Sequence, residues 1–211
     1  MEDKTEITIK SYDRNAKKFE AKFMDLKLYK QSIDAFKSHI TSGDNVLDLG
    51  CGPGNVSKYL FDCDNTLKIF GIDLSVEMIN LARINAPEIE FYVGDIRNLK
   101  EFAYKKYEAI IAAFCLPFLY DTEASSFISN ISKMLKRNGT LYLSTMMGSG
   151  HRFEVPGFSD GDMFFFNYYS KEFLNIEFEK NDLMIEEYIE QDYMTKSDSI
   201  LKDMIFILKK R

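Results

Sequence analysis

Residues 44–55 read DNVLDLGCGPGN. A short apolar run ends at Asp48 and Leu49, and glycines follow at 50, 52 and 54. An apolar run of this length closed by glycines is a buried strand that gives way to a sharp turn. The next residues, NVSKYLFD (55–62), return to a helical period. Strand, glycine turn and helix in immediate succession are the opening of a β–α unit, and the question becomes whether such units repeat.

They do. LKIFGIDL (67–74) predicts a second strand, followed by the helix SVEMINLARINA (75–86) with Ser75 as its cap. IEFYVGD (89–95) and YEAIIAAFC (107–115) predict a third and a fourth strand. TEASSFISNISKMLKRNG (122–139) predicts a helix ending at a C′ glycine, Gly139, and TLYLSTMM (140–147) a fifth strand. Strands alternating with helices imply an α/β fold with a doubly wound, mostly parallel sheet covered on both faces.

The flanks are less regular. Before the first strand, Tyr12, Ala16, Phe19 and Phe23, then Tyr29, Ile33, Phe36 and Ile40, recur at helical spacing, with Ser11 and Asp25 as candidate N-caps and TSGD (41–44) as a turn. Residues 146–169 show no clean period, and a loop of that length is either functional or hides a short element. SKEFLNIEFEKN (170–181) predicts a helix. Segments near 183–192 and 200–209, joined by the polar turn TKSDS (195–199), read as an antiparallel hairpin at a sheet edge. A chain of 211 residues is the size of one domain. The expected division is an N-terminal helical segment (1–43), a core of β–α units (44–145), and a long loop with the terminal hairpin (146–211).

Composition excludes several classes. The net charge is −6 and no basic run exceeds a few residues, so no footprint for nucleic acid is visible. Cys51, Cys63 and Cys115 are widely spaced without a C-x-x-C pair, which suggests neither a disulfide framework nor a metal site. The first ten residues lack the apolar core of a signal peptide, and the longest apolar run, 109–120, is short and interrupted by Pro117. The expectation is a cytoplasmic protein that does not enter a membrane. Its oligomeric state is left open.

In open α/β sheets, ligands bind beyond the carboxyl ends of the strands, where the glycine turn lies. The turn departs from a dinucleotide fingerprint because Asn55 stands where a third glycine is needed, and Pro53 removes a backbone donor. It suits a nucleoside derivative with little phosphate. Asp73, at the tip of the second strand, can accept both hydroxyls of a ribose, and Asp95, one strand further, can accept from an adenine amino group. A turn or helix-cap role accounts for either acid as well.

VLDLGCGPG, GIDLS and GDIRNL, in this order and spacing, resemble the class I S-adenosylmethionine-dependent methyltransferases over residues 40–145. The resemblance implies a seven-stranded sheet of Rossmann-like type with its last strand inserted antiparallel. It implies S-adenosylmethionine as cofactor. Asp48 and the turn with Gly50, Cys51, Gly52 and Gly54 would cradle the methionine portion, and Asp73 the ribose. Leu74 and Met78 would lie beside the adenosine, and Asp95 and Ile96 at the adenine edge. Ala113, Phe114 and Pro117 would border the methyl group and the acceptor.

The end of the fourth strand, AAFCLPF, lacks the Asn/Asp-Pro-Pro-aromatic motif of enzymes that methylate amino groups of bases or glutamine. Cys115 is not preceded by proline, unlike the nucleophile of cytosine-carbon enzymes. The twin-glutamate arrangement of protein-arginine enzymes is not evident either. A small-molecule acceptor is the remaining expectation. The N-terminal helices, with Tyr12, Phe19 and Phe23, resemble the lid that small-molecule enzymes of this group fold over the cofactor, with Tyr12 and Phe19 expected at the acceptor. The aromatics of 146–169 (Phe153, Phe158, Phe164, Phe165, Phe166, Tyr168 and Tyr169) would form a wall for it. Those aromatics also suit ordinary core filling. His151 is the candidate base, with a loop histidine facing solvent as the plainer reading, and Arg152 the candidate contact for an acidic acceptor; His39 reads as a surface or capping residue. Two alternatives stay open. One is a module of the same fold that binds cofactor without turnover. The other is a nicotinamide-dependent oxidoreductase, which explains Asp73 but not Pro53, Asn55 or Asp95.

Overall fold

The computed structural model describes residues 3–103, 105–194 and 200–211. In chain order its elements are α1 (Lys4–Phe23), α2 (Lys30–Lys37), β1 (Asn45–Leu49), α3 (Asn55–Cys63), β2 (Lys68–Asp73), α4 (Val76–Asn85), β3 (Glu90–Val93), β4 (Tyr107–Ala113), α5 (Asp121–Met134), β5 (Leu135–Met146), β6 (Gly150–Glu154), β7 (Phe164–Tyr168), α6 (Lys171–Lys180), β8 (Leu183–Met194) and β9 (Ile200–Lys210). Seven strands form one sheet in the order β3-β2-β1-β4-β5-β9-β8. β1 to β5 run parallel, and β9 runs antiparallel between β5 and β8. This is the Rossmann-like methyltransferase sheet.

Strand alternation divides the core. In β4, Ile110 and Ala112 face α5 and α6, whereas Ala109 and Ile111 face α2, α3 and α4. In β9, Met204, Phe206 and Leu208 join the first face and Ile205 and Ile207 the second. Burial on both faces is why these strands read as continuous apolar runs rather than alternating ones. Ser75 caps α4 by accepting from Met78 N at 3.1 Å, as its position before the helix predicts.

Several expectations are corrected. Ser11 is no cap: it lies inside α1, and its hydroxyl donates to the Met163 carbonyl at 2.9 Å. Asp25 precedes α2 by five residues and accepts from Lys27 N; the N-cap of α2 is Tyr29. α1 borders both cavities at the carboxyl ends of the strands. α2 is part of the sheet's own helical layer, with Ile33 and Phe36 buried against it. The helix expected to end at Gly139 stops at Met134, and the chain runs on as β5. Gly139 serves a close approach instead, since a Cβ there would lie 2.9 Å from the Lys136 carbonyl oxygen and 3.0 Å from that of Glu108.

Residues 146–169 hold a β6–β7 hairpin that forms a separate sheet. All five residues of β7 are buried, which erases the alternation that would have marked it as a strand. The terminal hairpin is present as β8 and β9, while the TKSDS turn lies outside the described residues. Among the described residues no helix is long and apolar enough to cross a membrane.

Candidate functional site

The site begins where β1 ends. Gly50 takes φ +69°, and a Cβ there would lie 2.6 Å from Cβ of Cys115, so only glycine fits between the tips of β1 and β4. The N–H groups of Gly50 and Cys51 both donate to the Ile72 carbonyl, at 2.7 and 3.0 Å, which folds the turn over the end of β2. Gly54, at φ +80°, precedes α3; a Cβ on it would meet Phe91 at 3.2 Å and Ala82 at 3.3 Å. Its place is helix packing, and it lines neither cavity described below.

Asp73 closes this arrangement from β2. Its Oδ2 accepts from Gly52 N at 2.9 Å and its Oδ1 from Ser75 N at 2.8 Å. Burial raises its carboxyl above the ordinary range, against the pull of these backbone donors. Asp48 is buried beneath the turn, and the Ser57 hydroxyl donates to it at 2.7 Å. Burial pushes the Asp48 carboxyl up to about 7, with the negative charge of Asp73 adding to the effect. The same burial holds the thiols of Cys51 and Cys115 protonated.

Two cavities meet at this turn, and Gly50, Gly52, Ala113 and Phe114 belong to both. The smaller, about 150 Å³, is lined by Asp73, Leu74, Met78, Asp95 and Ile96, with Thr5 and Thr8 of α1 above them. Asp95 is held in a fork by Arg97, whose Nη2 lies 2.6 Å from Oδ2. Burial disfavours its charge, but the Arg97 guanidinium and backbone N–H outweigh that and hold Asp95 below the usual carboxylate range. Arg97 also donates to the Thr5 hydroxyl at 2.8 Å, which ties the acid to α1.

The larger cavity has a volume of about 860 Å³. The tip of the sheet contributes Asp48, Cys51 and Pro117, and the hairpin region contributes Arg152, Phe158 and Phe166. Tyr12 and Phe19 of α1 border both cavities, and Tyr12 packs edge-on to Phe164 at 4.8 Å between ring centres. α1 is pinned as a roof. Lys4, buried, donates to the Phe118 carbonyl at 2.8 Å and to Glu123 at 2.6 Å. Asp162 accepts from Arg14 and Asn15, and Asp13 from the Ser75 hydroxyl.

Not every expected residue arrives. His151 lines neither cavity. On β6, alternate side chains point to opposite faces: Arg152 and Glu154 face the large cavity, while His151 packs outside against Tyr120 and Phe165, at 5.1 and 5.5 Å between ring centres. Arg152 reaches the cavity wall but pairs with Glu154 there. Of the aromatics in 146–169, Phe158 and Phe166 line the cavity; Phe153 is exposed, and Tyr169 sits in the core under the sheet. The cavity wall also includes Tyr29, just before α2, which the sequence marks only as part of a helical stripe, and Asp203 on β9; the two are joined by a 2.8 Å hydrogen bond. A signal for Asp203 exists. It is the one acid on the inward-facing alternation of Leu201, Asp203, Ile205 and Ile207.

Residues 46–139 match the model of a methyltransferase domain. The chain is 34% identical over 135 residues to the 235L protein of Invertebrate iridescent virus 6, whose name assigns it to the methyltransferases; the match covers 62% of this chain and 49% of that one. It is 36% identical over 98 residues to trans-aconitate 2-methyltransferase of Enterobacter sp. (strain 638), covering 46% and 37%. The chain thus spans about half the length, or less, of these relatives. The structure of magnesium protoporphyrin IX methyltransferase from Synechocystis PCC 6803 with bound S-adenosylmethionine superimposes with a TM-score of 0.65 at 19% identity, over 87% of this chain and 80% of that one, a likeness of fold. With the strand order, the glycine turn between β1 and α3 and the acid at the tip of β2, these matches show that the chain has the fold of the class I S-adenosylmethionine-dependent methyltransferases and is similar to a methyltransferase domain over residues 46–139.

Proposed function

We propose that this chain transfers the methyl group of S-adenosylmethionine to a small-molecule acceptor held in the large aromatic cavity. The observation that carries the reading is the meeting of two unlike cavities at Gly50 and Gly52: a narrow one lined by Asp73, Asp95 and the apolar side chains of Leu74, Met78 and Ile96, and a wide one lined by rings. The donor set fits the cofactor. A carboxylate already oriented by two backbone N–H groups suits a ribose diol, and apolar side chains suit the faces of a purine. Gly50 keeps the tip of β1 free of side chains where an aminoacyl group would pass, and Asp48 lies beneath it to face an ammonium.

When bound, S-adenosylmethionine supplies a methyl group already activated by a sulfonium. The chain's own work is alignment and exclusion of water, an effect worth about 7–11 kcal/mol at best. Phe114 and Pro117 border the place where the two guests meet, and α1 closes over both. His151, outside the cavity, takes no part. The small-molecule acceptor is supported by the ring-lined form of the cavity and by the relative named for trans-aconitate. In this reading residues 1–211 act as one unit.

Calorimetric titration with S-adenosylmethionine and S-adenosylhomocysteine, with NADH and NADPH as controls, tests the proposal. Binding of the sulfur ligands alone is expected, followed by methyl transfer to members of an acceptor panel. Nicotinamide binding overturns the cofactor assignment. Binding of the sulfur ligands without transfer to any acceptor leaves a cofactor-binding module.

A further inference from the structure

Asp203 is a buried carboxylate on the wall of the large cavity, 2% exposed. Its Oδ2 accepts from the Tyr29 hydroxyl at 2.8 Å. Its other oxygen takes no hydrogen bond among the described residues. A buried carboxylate with one neutral partner is costly unless a further donor or a cation completes it. Burial pushes its carboxyl up to about 6, and the Tyr29 hydroxyl works against that rise. At neutral pH it is therefore mainly ionised. Burial and the charge of Asp203 hold the Tyr29 phenol protonated, so it remains a donor.

The other charged residues on the wall are Lys22, Asp25, Lys27, Arg152, Glu154 and Asp48, the last buried beneath the glycine turn with the Ser57 hydroxyl donating to it. Arg152 is paired with Glu154, and Lys27 with Asp25. Lys22, at the rim, donates to the Tyr193 hydroxyl at 2.7 Å. Between these groups the wall is built from rings: Tyr29 packs on Phe114 at 4.9 Å, and Phe158 on Phe19 at 5.2 Å between ring centres. Rings around one unpaired carboxylate are the surroundings that favour an ammonium group, through charge pairing and the faces of the rings.

We infer that Asp203, backed by Tyr29, anchors the acceptor, and that the acceptor is a small, flat or apolar molecule carrying a protonated amine. The inference deepens the methyl-transfer reading and rests on it for the word acceptor. Strand register sets the role. Ala113 of β4 pairs with Ser144 of β5, and Met146 of β5 pairs with Asp203. The backbones of β4 and β9 are thus two strand spacings apart, about 10 Å. Asp203 is a positioning residue that grips one end of the molecule while another part of it reaches the end of β4. Arg152, neutralised by Glu154, does not recruit an acidic acceptor.

The test uses isosteric probes on the full chain, with and without S-adenosylhomocysteine. 2-Phenylethylamine and tryptamine are titrated against 3-phenylpropionate, indole-3-propionate and 3-phenylpropanamide. The amines are expected to bind and the carboxylates to bind at least tenfold more weakly or not at all. Asp203→Asn is expected to weaken the amines by roughly tenfold to a hundredfold, the loss of one charge-assisted contact. S-adenosylhomocysteine affinity and melting temperature serve as controls on that variant. Carboxylates binding as tightly as amines, amines indifferent to Asp203→Asn, or no amine binding at millimolar concentration each overturn the inference. If Asp203→Asn fails to fold, the wild-type preference for amine over carboxylate and amide decides alone. Amine binding that depends on Asp203 while S-adenosylhomocysteine does not bind defeats the methyl-transfer reading and leaves the anchor standing; the reverse pattern defeats the anchor only.

Discussion

The backbone N–H of Gly52 donates to Oδ2 of Asp73 at 2.9 Å. The glycine turn after β1 and the acid at the end of β2 are thus one unit, and the acid's orientation is set before any ligand arrives. Preorganisation of this kind removes an ordering cost from binding.

Asp73→Ala removes both the proposed ribose contact and the acceptor for Gly52 N. Its affinity for S-adenosylhomocysteine, measured by calorimetry, is expected to fall by more than tenfold, consistent with loss of a charged hydrogen bond worth about 1.5–3 kcal/mol. An unchanged dissociation constant would show that the ribose lies elsewhere.

Gly50→Ala combines a left-handed backbone with a clash at Cys115, since the new Cβ would lie 2.6 Å from that residue's own. A loss of roughly 2–5 kcal/mol is expected in denaturant unfolding. Gly43→Ala is the control: φ is +85° but nothing lies within 4 Å of the added atom, so only the backbone cost of about 1–2 kcal/mol applies.

The Asp48 carboxyl is raised from an ordinary 3.8 to about 7. The folded chain therefore holds this proton more tightly than the unfolded chain does. That contribution to stability is present at low pH and is lost as pH rises from near 4 to near 7. Asp203, raised to about 6, acts in the same direction. Asp48→Asn should flatten the fall in stability across this window, read by unfolding at a series of pH values. A slope identical to wild type would mean that Asp48 titrates normally.

Lys4→Met removes the donor that ties the first turn of α1 to Phe118 and Glu123. Faster hydrogen exchange across 4–23 is expected, with a stability loss of about 1–3 kcal/mol. Exchange rates equal to wild type would show that the contacts of α1 with Asp162, Ser75 and Arg97 suffice to secure the helix.

His151→Ala is expected to leave stability within about 0.5 kcal/mol of wild type and ligand affinities unchanged, since the ring lies on the outer face of β6. A loss of methyl transfer in this variant would bring His151 back to the chemistry.

The parts of the site that sequence revealed are those written in local chemistry. Glycines that need a left-handed turn, Ser75 before its helix and acids at strand tips each announce themselves within a few residues. What escaped depends on distant partners. Tyr29 and Asp203 lie 174 residues apart and acquire meaning only when β9 inserts beside β5. The β6–β7 hairpin escaped because a strand buried on both faces loses its period, and Gly139 misled because a glycine at a crowded strand looks the same in sequence as one at a helix end. His151 was placed on the correct end of the sheet, but the pleat that turns it outward is a matter of register, which sequence alone leaves open.

Tyr12 and Phe19, both on α1, are walls of the two cavities at once. A swing of this helix wide enough to free a nucleoside also uncovers the neighbouring chamber. Under the proposed methyl transfer the two guests would share a clock: spent donor and methylated product would depart in the same opening, and the slower to leave would set the pace for both.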